Sequence, residues 1–128
     1  MEDDVIAGVG VDLVNVEQMR EYVDDPIFLS YTFKQSEREY AFGRGDEAEC
    51  LAGIFAAKEA ITKALAPLAC GDELDMREIE ILHAEKGAPY PAEEGALSIF
   101  LHRHDIRRVY LSISHDGNYA VAFAAAES

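Results

Sequence analysis

Apolar and polar positions fall into several rhythms along the chain, and each rhythm predicts an element. Ile6 to Val14 is β-branched and carries Gly8 and Gly10, which predicts a buried strand whose backbone another group approaches closely. Val16 to Val23 suits a short helix ended by Asp24-Asp25-Pro26, because Pro26 pushes Asp25 out of the helical region. Thr32 to Gln35 has the spacing of a capping box and predicts a helix through Tyr40 that stops at Gly43 or Gly45. From Glu47 to Leu65 the strong helix formers alanine, leucine, lysine and glutamate dominate, and Pro67 closes a long helix.

The second half of the chain is more mixed. Cys70-Gly71-Asp72 reads as a turn, Ile79 to Leu82 as a strand, and Lys86 to Tyr90 as a second turn. Pro91 to His102 suits a helix with Leu97, Phe100 and Leu101 on one face. Val109 to Ile113 and Tyr119 to Ala125 predict two strands joined as a hairpin through His115-Asp116-Gly117-Asn118. A strand, then helices, then mixed elements, without repeats or linkers, predicts one α+β domain over residues 1–128.

Charge narrows the partners. The chain has 25 acids against 11 lysines and arginines, a formal charge of -14, which repels nucleic acid and anionic lipid at long range. Cys50 and Cys70 are too few and too unpatterned for a disulfide framework or a zinc site, which favours a reducing, cytoplasmic setting. The start, Met1 to Asp4, is acidic where a secretory signal would be basic, and no apolar run nears the roughly 20 residues of a membrane span.

Two acids stand in apolar settings, Asp12 in the first strand and Glu59 among alanines. An unpaired buried carboxylate is costly, so each asks for a cation or a donor. Read singly, Glu59 and Lys63, four apart, form a weak surface ion pair, and Asp12 caps a turn. Read together, two hard carboxylates suit Mg²⁺, which binds one or two protein carboxylates and completes its shell with water and phosphate. His115, at a strand end, is by itself a solvated turn histidine, and His83, His102 and His104 lack metal-ligand spacing and receive no role. Gly8-Val9-Gly10 lacks the third glycine and following helix of a dinucleotide fingerprint.

In order and spacing, four segments resemble holo-acyl carrier protein synthase, the small phosphopantetheinyl transferase family. They are Gly8-Val9-Gly10-Val11-Asp12, Phe55-Ala56-Ala57-Lys58-Glu59-Ala60-Ile61-Thr62-Lys63, the Gly87-Ala88-Pro89-Tyr90 turn, and Leu111 to His115 with Tyr119 to Ala122. Thr32 to Glu37, followed by Tyr40, is similar to the family's threonine-and-acid helix start. The resemblance implies a phosphopantetheinyl transferase-like fold, a small antiparallel sheet packed on a long helix. It also implies transfer of 4′-phosphopantetheine from coenzyme A to a serine of an acyl carrier protein, with release of 3′,5′-ADP, in fatty acid or related lipid biosynthesis. Asp12 and Glu59 would then hold Mg²⁺ and, with Lys63, form the catalytic set. Lys58, Lys63, Gly87, Pro89, Ser114 and His115 would contact coenzyme A, across the subunit boundaries of a homotrimer.

Some positions depart from the family's pattern. Ile54 and Gln18 stand where arginine is common, Asn15 where an acid is common, and Ala66 to Gly71 replaces a glycine-rich loop. Isoleucine cannot make a bidentate phosphate contact. The alternative to an active transferase is therefore a homologue that keeps the fold and binds or scaffolds a carrier or coenzyme A partner.

Overall fold

The computed structural model describes residues 5–128; the acidic start Met1 to Asp4 lies outside the described residues. The chain opens with strand β1 (Ile6–Asn15) and three helices, α1 (Val16–Arg20), α2 (Pro26–Thr32) and α3 (Gln35–Phe42). The long helix α4 (Glu47–Leu65) follows, then β2 (Ile81–His83), β3 (Pro89–Pro91), α5 (Gly95–Arg103), β4 (Arg108–Asp116) and β5 (Tyr119–Glu127). β1, β5 and β4 form one antiparallel sheet in that spatial order, and β2 pairs with β3 in a second. The architecture is α+β, a small antiparallel sheet lying on a long helix.

Alternation along the strands decides which face meets α4. Gly8, Gly10, Asp12 and Val14 lie in register with Ala126, Ala124, Ala122 and Ala120 of β5, all four alanines fully buried. These small residues let strand and helix backbones come close. A Cβ added at Gly10 would lie 2.1 Å from the Ala60 carbonyl oxygen, and one at Gly8 would lie 2.1 Å from that of Ala64. The close approach expected at these glycines is therefore made by α4. The helix buries Leu51, Ile54, Ile61 and Leu65 on its other faces, each such side chain contributing about 1.5–3 kcal/mol.

Caps and turns explain the element boundaries. Asp46 starts α4 by accepting from Glu49 N at 3.1 Å. Asn15 starts α1 by accepting from Gln18 N at 3.0 Å, and Asn118, in the β4–β5 turn, donates to the same Asn15 oxygen at 3.1 Å. That turn is shorter than expected: β4 runs on to Asp116, so only Gly117 and Asn118 lie outside the strands, with Gly117 at φ +59° where glycine is needed.

Three other expectations are corrected. Pro26 begins a helix as well as ending a segment, because Asp25 caps α2 through Ile27 N and Phe28 N, both at 3.1 Å. Thr32 is the last residue of α2 and caps nothing; the α3 start is closed by the Glu37 carboxylate on Lys34 N at 2.8 Å. Pro91 belongs to β3, and the following helix starts at Gly95. Proline at the edge of a two-stranded pair lacks only a donor the edge does not use.

Candidate active site

β1 and α4 bring Asp12, Glu59 and Lys63 to one place. Gly10 fits against Ala60 and Ala64, so Asp12, two residues on and on the same face, lies beside the next turn of the helix. Lys63 Nζ donates to Asp12 Oδ1 at 3.0 Å and to the Val11 carbonyl at 3.1 Å. The ion pair of this lysine thus crosses from helix to strand. Burial, and after it the charge of Asp12, pushes the Glu59 carboxyl above the ordinary glutamate range, with Lys63 offsetting part of the effect. Two carboxylates close enough to repel, with an ammonium resting on one of them, mark a position that favours positive charge.

Among the described residues no three His, Cys, Asp or Glu side chains gather as a cage. Two carboxylate oxygens with open surroundings fit a hard, hydrated cation that keeps water and phosphate ligands, and do not fit zinc.

A second feature lies toward the N-terminal half of α4. A cavity of about 340 Å³ is lined by Tyr40, Arg44, Ile54, His83 and His115 together with Gly87 of the β2–β3 turn and Pro89 at the start of β3. His115 Nε2 donates to the Glu49 carbonyl at 2.9 Å, and its ring fills the space above Gly53, where a Cβ would sit 3.0 Å from it. Tyr40 stacks on His83 with ring centroids 3.8 Å apart and planes 5° from parallel, and the Arg44 guanidinium lies 4.1 Å from the Tyr40 centroid. Burial, with Arg44 charged nearby, holds the His83 ring below the usual histidine range, so it is neutral at pH 7. The half-buried Cys50 thiol also lines the cavity; burial pushes it up to about 11, so it is no thiolate.

A model of the 4′-phosphopantetheinyl transferase superfamily matches residues 8–124, a span that includes both features. The chain belongs to this family. It is 35% identical over 125 residues to a holo-[acyl-carrier-protein] synthase of Halothermothrix orenii, covering 96% of this chain and 98% of that protein. It is 38% identical over 119 residues to the synthase of Thermoanaerobacter pseudethanolicus, covering 92% and 85%. Among solved structures, the Neisseria meningitidis synthase superimposes with a TM-score of 0.83 at 31% identity, covering 97% of this chain and 100% of that one. A Chronobacterium ammoniagenes synthase in complex with coenzyme A gives 0.78 at 34% identity, covering 98% and 97%.

Within the transferase fold, the expected site residues divide into those brought together and those set apart. Asp12, Glu59 and Lys63 form one group; Gly87, Pro89 and His115 line the cavity. Ser114 does not join His115, because neighbouring strand residues point to opposite sides; it shares the far face of the sheet with its partner Val121. Lys58 is also corrected. It is 0% exposed and its ammonium lies 2.6 Å from the equally buried Glu37 carboxylate, so it cannot reach a phosphate in the cavity. Burial pushes Glu37 up and Lys58 down, and their mutual attraction opposes both shifts. Ile54, in place of the family's common arginine, lines the cavity at 1% exposure.

Tyr40, Arg44 and His83 carry no functional signal in the sequence. The four-residue spacing of Tyr40 and Arg44, just past the end of α3, is the one local sign of the Arg44–Tyr40 contact. Nothing local could place His83 against them, since that contact depends on β2 returning beside α3.

Proposed function

We propose that this chain is a holo-acyl carrier protein synthase: it transfers 4′-phosphopantetheine from coenzyme A to a serine hydroxyl of an acyl carrier protein and releases 3′,5′-ADP. The observation that carries this reading is the convergence of Asp12, Glu59 and Lys63 on one surface, in a chain that belongs to the transferase family. The serine oxygen attacks the β-phosphorus and its proton passes to solvent; the new O–P bond forms as the bond to the bridging oxygen breaks, and 3′,5′-ADP leaves with that electron pair. Asp12 and Glu59 would hold Mg²⁺, which would supply positive charge to offset that of the pyrophosphate. Lys63, on its flexible stem, turns from Asp12 to the phosphate oxygens. Gly87, Pro89 and His115 line the site of the nucleotide portion of coenzyme A, where Arg44 supplies a charge and the Tyr40–His83 stack a flat wall.

The carboxylate pair and the cavity face different ways on one protomer. Gly53 and Glu59 are six residues apart, roughly 9 Å along the axis and about 120° around it. A homotrimer that sets the cavity of one protomer beside the carboxylates of the next would join them. A broad apolar sheet face supports such an assembly: Val9, Val11 and Leu13 of β1 are 55%, 54% and 62% exposed, and Phe123 of β5 is 48% exposed beside them. No helix among the described residues is long and apolar enough to cross a membrane. We infer that this work is done in the cytoplasm, in fatty acid or related lipid synthesis; the family's role and two free cysteines support the reading.

The test is to incubate the protein with coenzyme A, Mg²⁺ and carrier proteins encoded near its own gene, and to weigh each carrier by mass spectrometry. A gain of one phosphopantetheine that chelation abolishes is expected. Unmodified carriers throughout would leave coenzyme A or carrier binding without transfer as the function.

A further inference from the structure

Glu37 and Lys58 touch neither the carboxylate pair nor the cavity, yet they join α3, α4 and β2, three of the elements that line the cavity. Beyond their 2.6 Å ion pair, Glu37 accepts from Lys34 N at 2.8 Å and from Ile81 N at 2.7 Å. Lys58 Nζ donates to the Thr32 carbonyl at 3.1 Å. The end of α2, the start of α3, the middle of α4 and the start of β2 therefore meet at one buried, fully hydrogen-bonded point.

Such a pair is a poor source of stability, because apolar side chains of like volume often serve as well or better. What it adds is direction. Apolar packing sets how close two elements lie and tolerates rotation and sliding, whereas hydrogen bonds to Ile81 N, Lys34 N and the Thr32 carbonyl are satisfied only in one register. The residues one step away on the same faces are those of the site. Tyr40 follows Glu37 by three in α3, Ile54 precedes Lys58 by four in α4, and His83 follows Ile81 by two in β2; all three line the cavity. Glu59 follows Lys58 directly.

The geometry points to Glu37 and Lys58 as positioning residues that lock α3, α4 and β2 into one register, so that the cavity keeps its shape for coenzyme A. This rests on the reading above that coenzyme A occupies the cavity. Neither residue touches substrate; both act through Tyr40, Ile54 and His83.

Removing one partner alone would strand a buried charge, so the test uses the double variant Glu37→Gln/Lys58→Met, which keeps both volumes and leaves no unpaired charge. Coenzyme A binding by calorimetry is expected to weaken roughly tenfold and kcat/KM for coenzyme A to fall with it, while KM for the carrier changes by less than about twofold. Without any ligand, the His83 ring resonances should also move, as the Tyr40 stack relaxes. A double variant that binds coenzyme A as the wild type does, with unmoved His83 signals, overturns the inference and leaves the cavity reading standing. Wild-type protein that binds no coenzyme A overturns the cavity reading and this inference with it.

Discussion

Glu59 is a carboxylate held partly out of water beside a second carboxylate, Asp12, and this sets its charge against the stability of the fold. Its folded-state pKa lies above the ordinary value, so the fold favours the protonated form. That contribution is full below the ordinary glutamate range and is lost as pH rises through the folded-state value. At pH 7.5 the ionised side chain therefore opposes folding when no cation is bound. Glu59→Gln should raise Tm at pH 7.5 in the presence of chelator, with the difference shrinking toward roughly pH 4, where glutamate itself gains a proton. The same variant should lower kcat/KM at least ~100-fold, because it removes an anionic oxygen from the proposed metal site. Melting curves and carrier mass shifts measured on one preparation test both halves, and unchanged turnover would remove Glu59 from the site.

At the scale of elements, the contact between β1 and α4 is set by what is missing from it. Gly8 and Gly10 leave room for the Ala64 and Ala60 carbonyls, and the alanine row of β5 continues the same close surface. Backbone cannot yield to a new Cβ as a side-chain end can. Gly10→Ala should therefore force β1 away from α4, destabilising by about 3 kcal/mol, or roughly 10 °C in Tm for a domain of this size. It should also separate Asp12 from Lys63. Calorimetric melting checks the first effect; a Tm within a degree or two of wild type would mean that the strand slides without loss. Sequence alternation and glycine placement showed that something approaches this strand. That the partner is α4, and which turn of it, required the folded chain.

At the scale of the whole molecule, the sheet has one face on α4 and one face of Val9, Val11, Leu13 and Phe123 open to solvent. A carboxylate in the middle of that face would be desolvated by assembly, so Leu13→Asp should convert the proposed trimer to monomers and cut transfer with it. Sedimentation velocity at micromolar concentration reads the change. A wild-type protein that sediments as a monomer would overturn the assembly, and so would a fully active Leu13→Asp monomer. The net charge acts at this scale too: at -14 the molecule repels other polyanions, so the proposed phosphate contacts would depend on local bases such as Lys63 and Arg44.

By itself the sequence determined the long helix, the first strand, the final hairpin and the family, because these rest on local rules of periodicity, helix propensity and turn chemistry, and on residues close together in the chain. It also singled out Asp12 and Glu59, since acids in apolar surroundings are conspicuous without any fold, and Lys63 by its four-residue spacing from Glu59. Tertiary structure decided which partner each charge meets. Lys58 and Lys63 sit five residues apart on one helix and read alike, but helical geometry turns one inward to Glu37 and the other outward to Asp12. Ser114 and His115 are adjacent and the pleat sends them to opposite faces. Burial and long-range pairing set these roles, and neither is a property of a short segment.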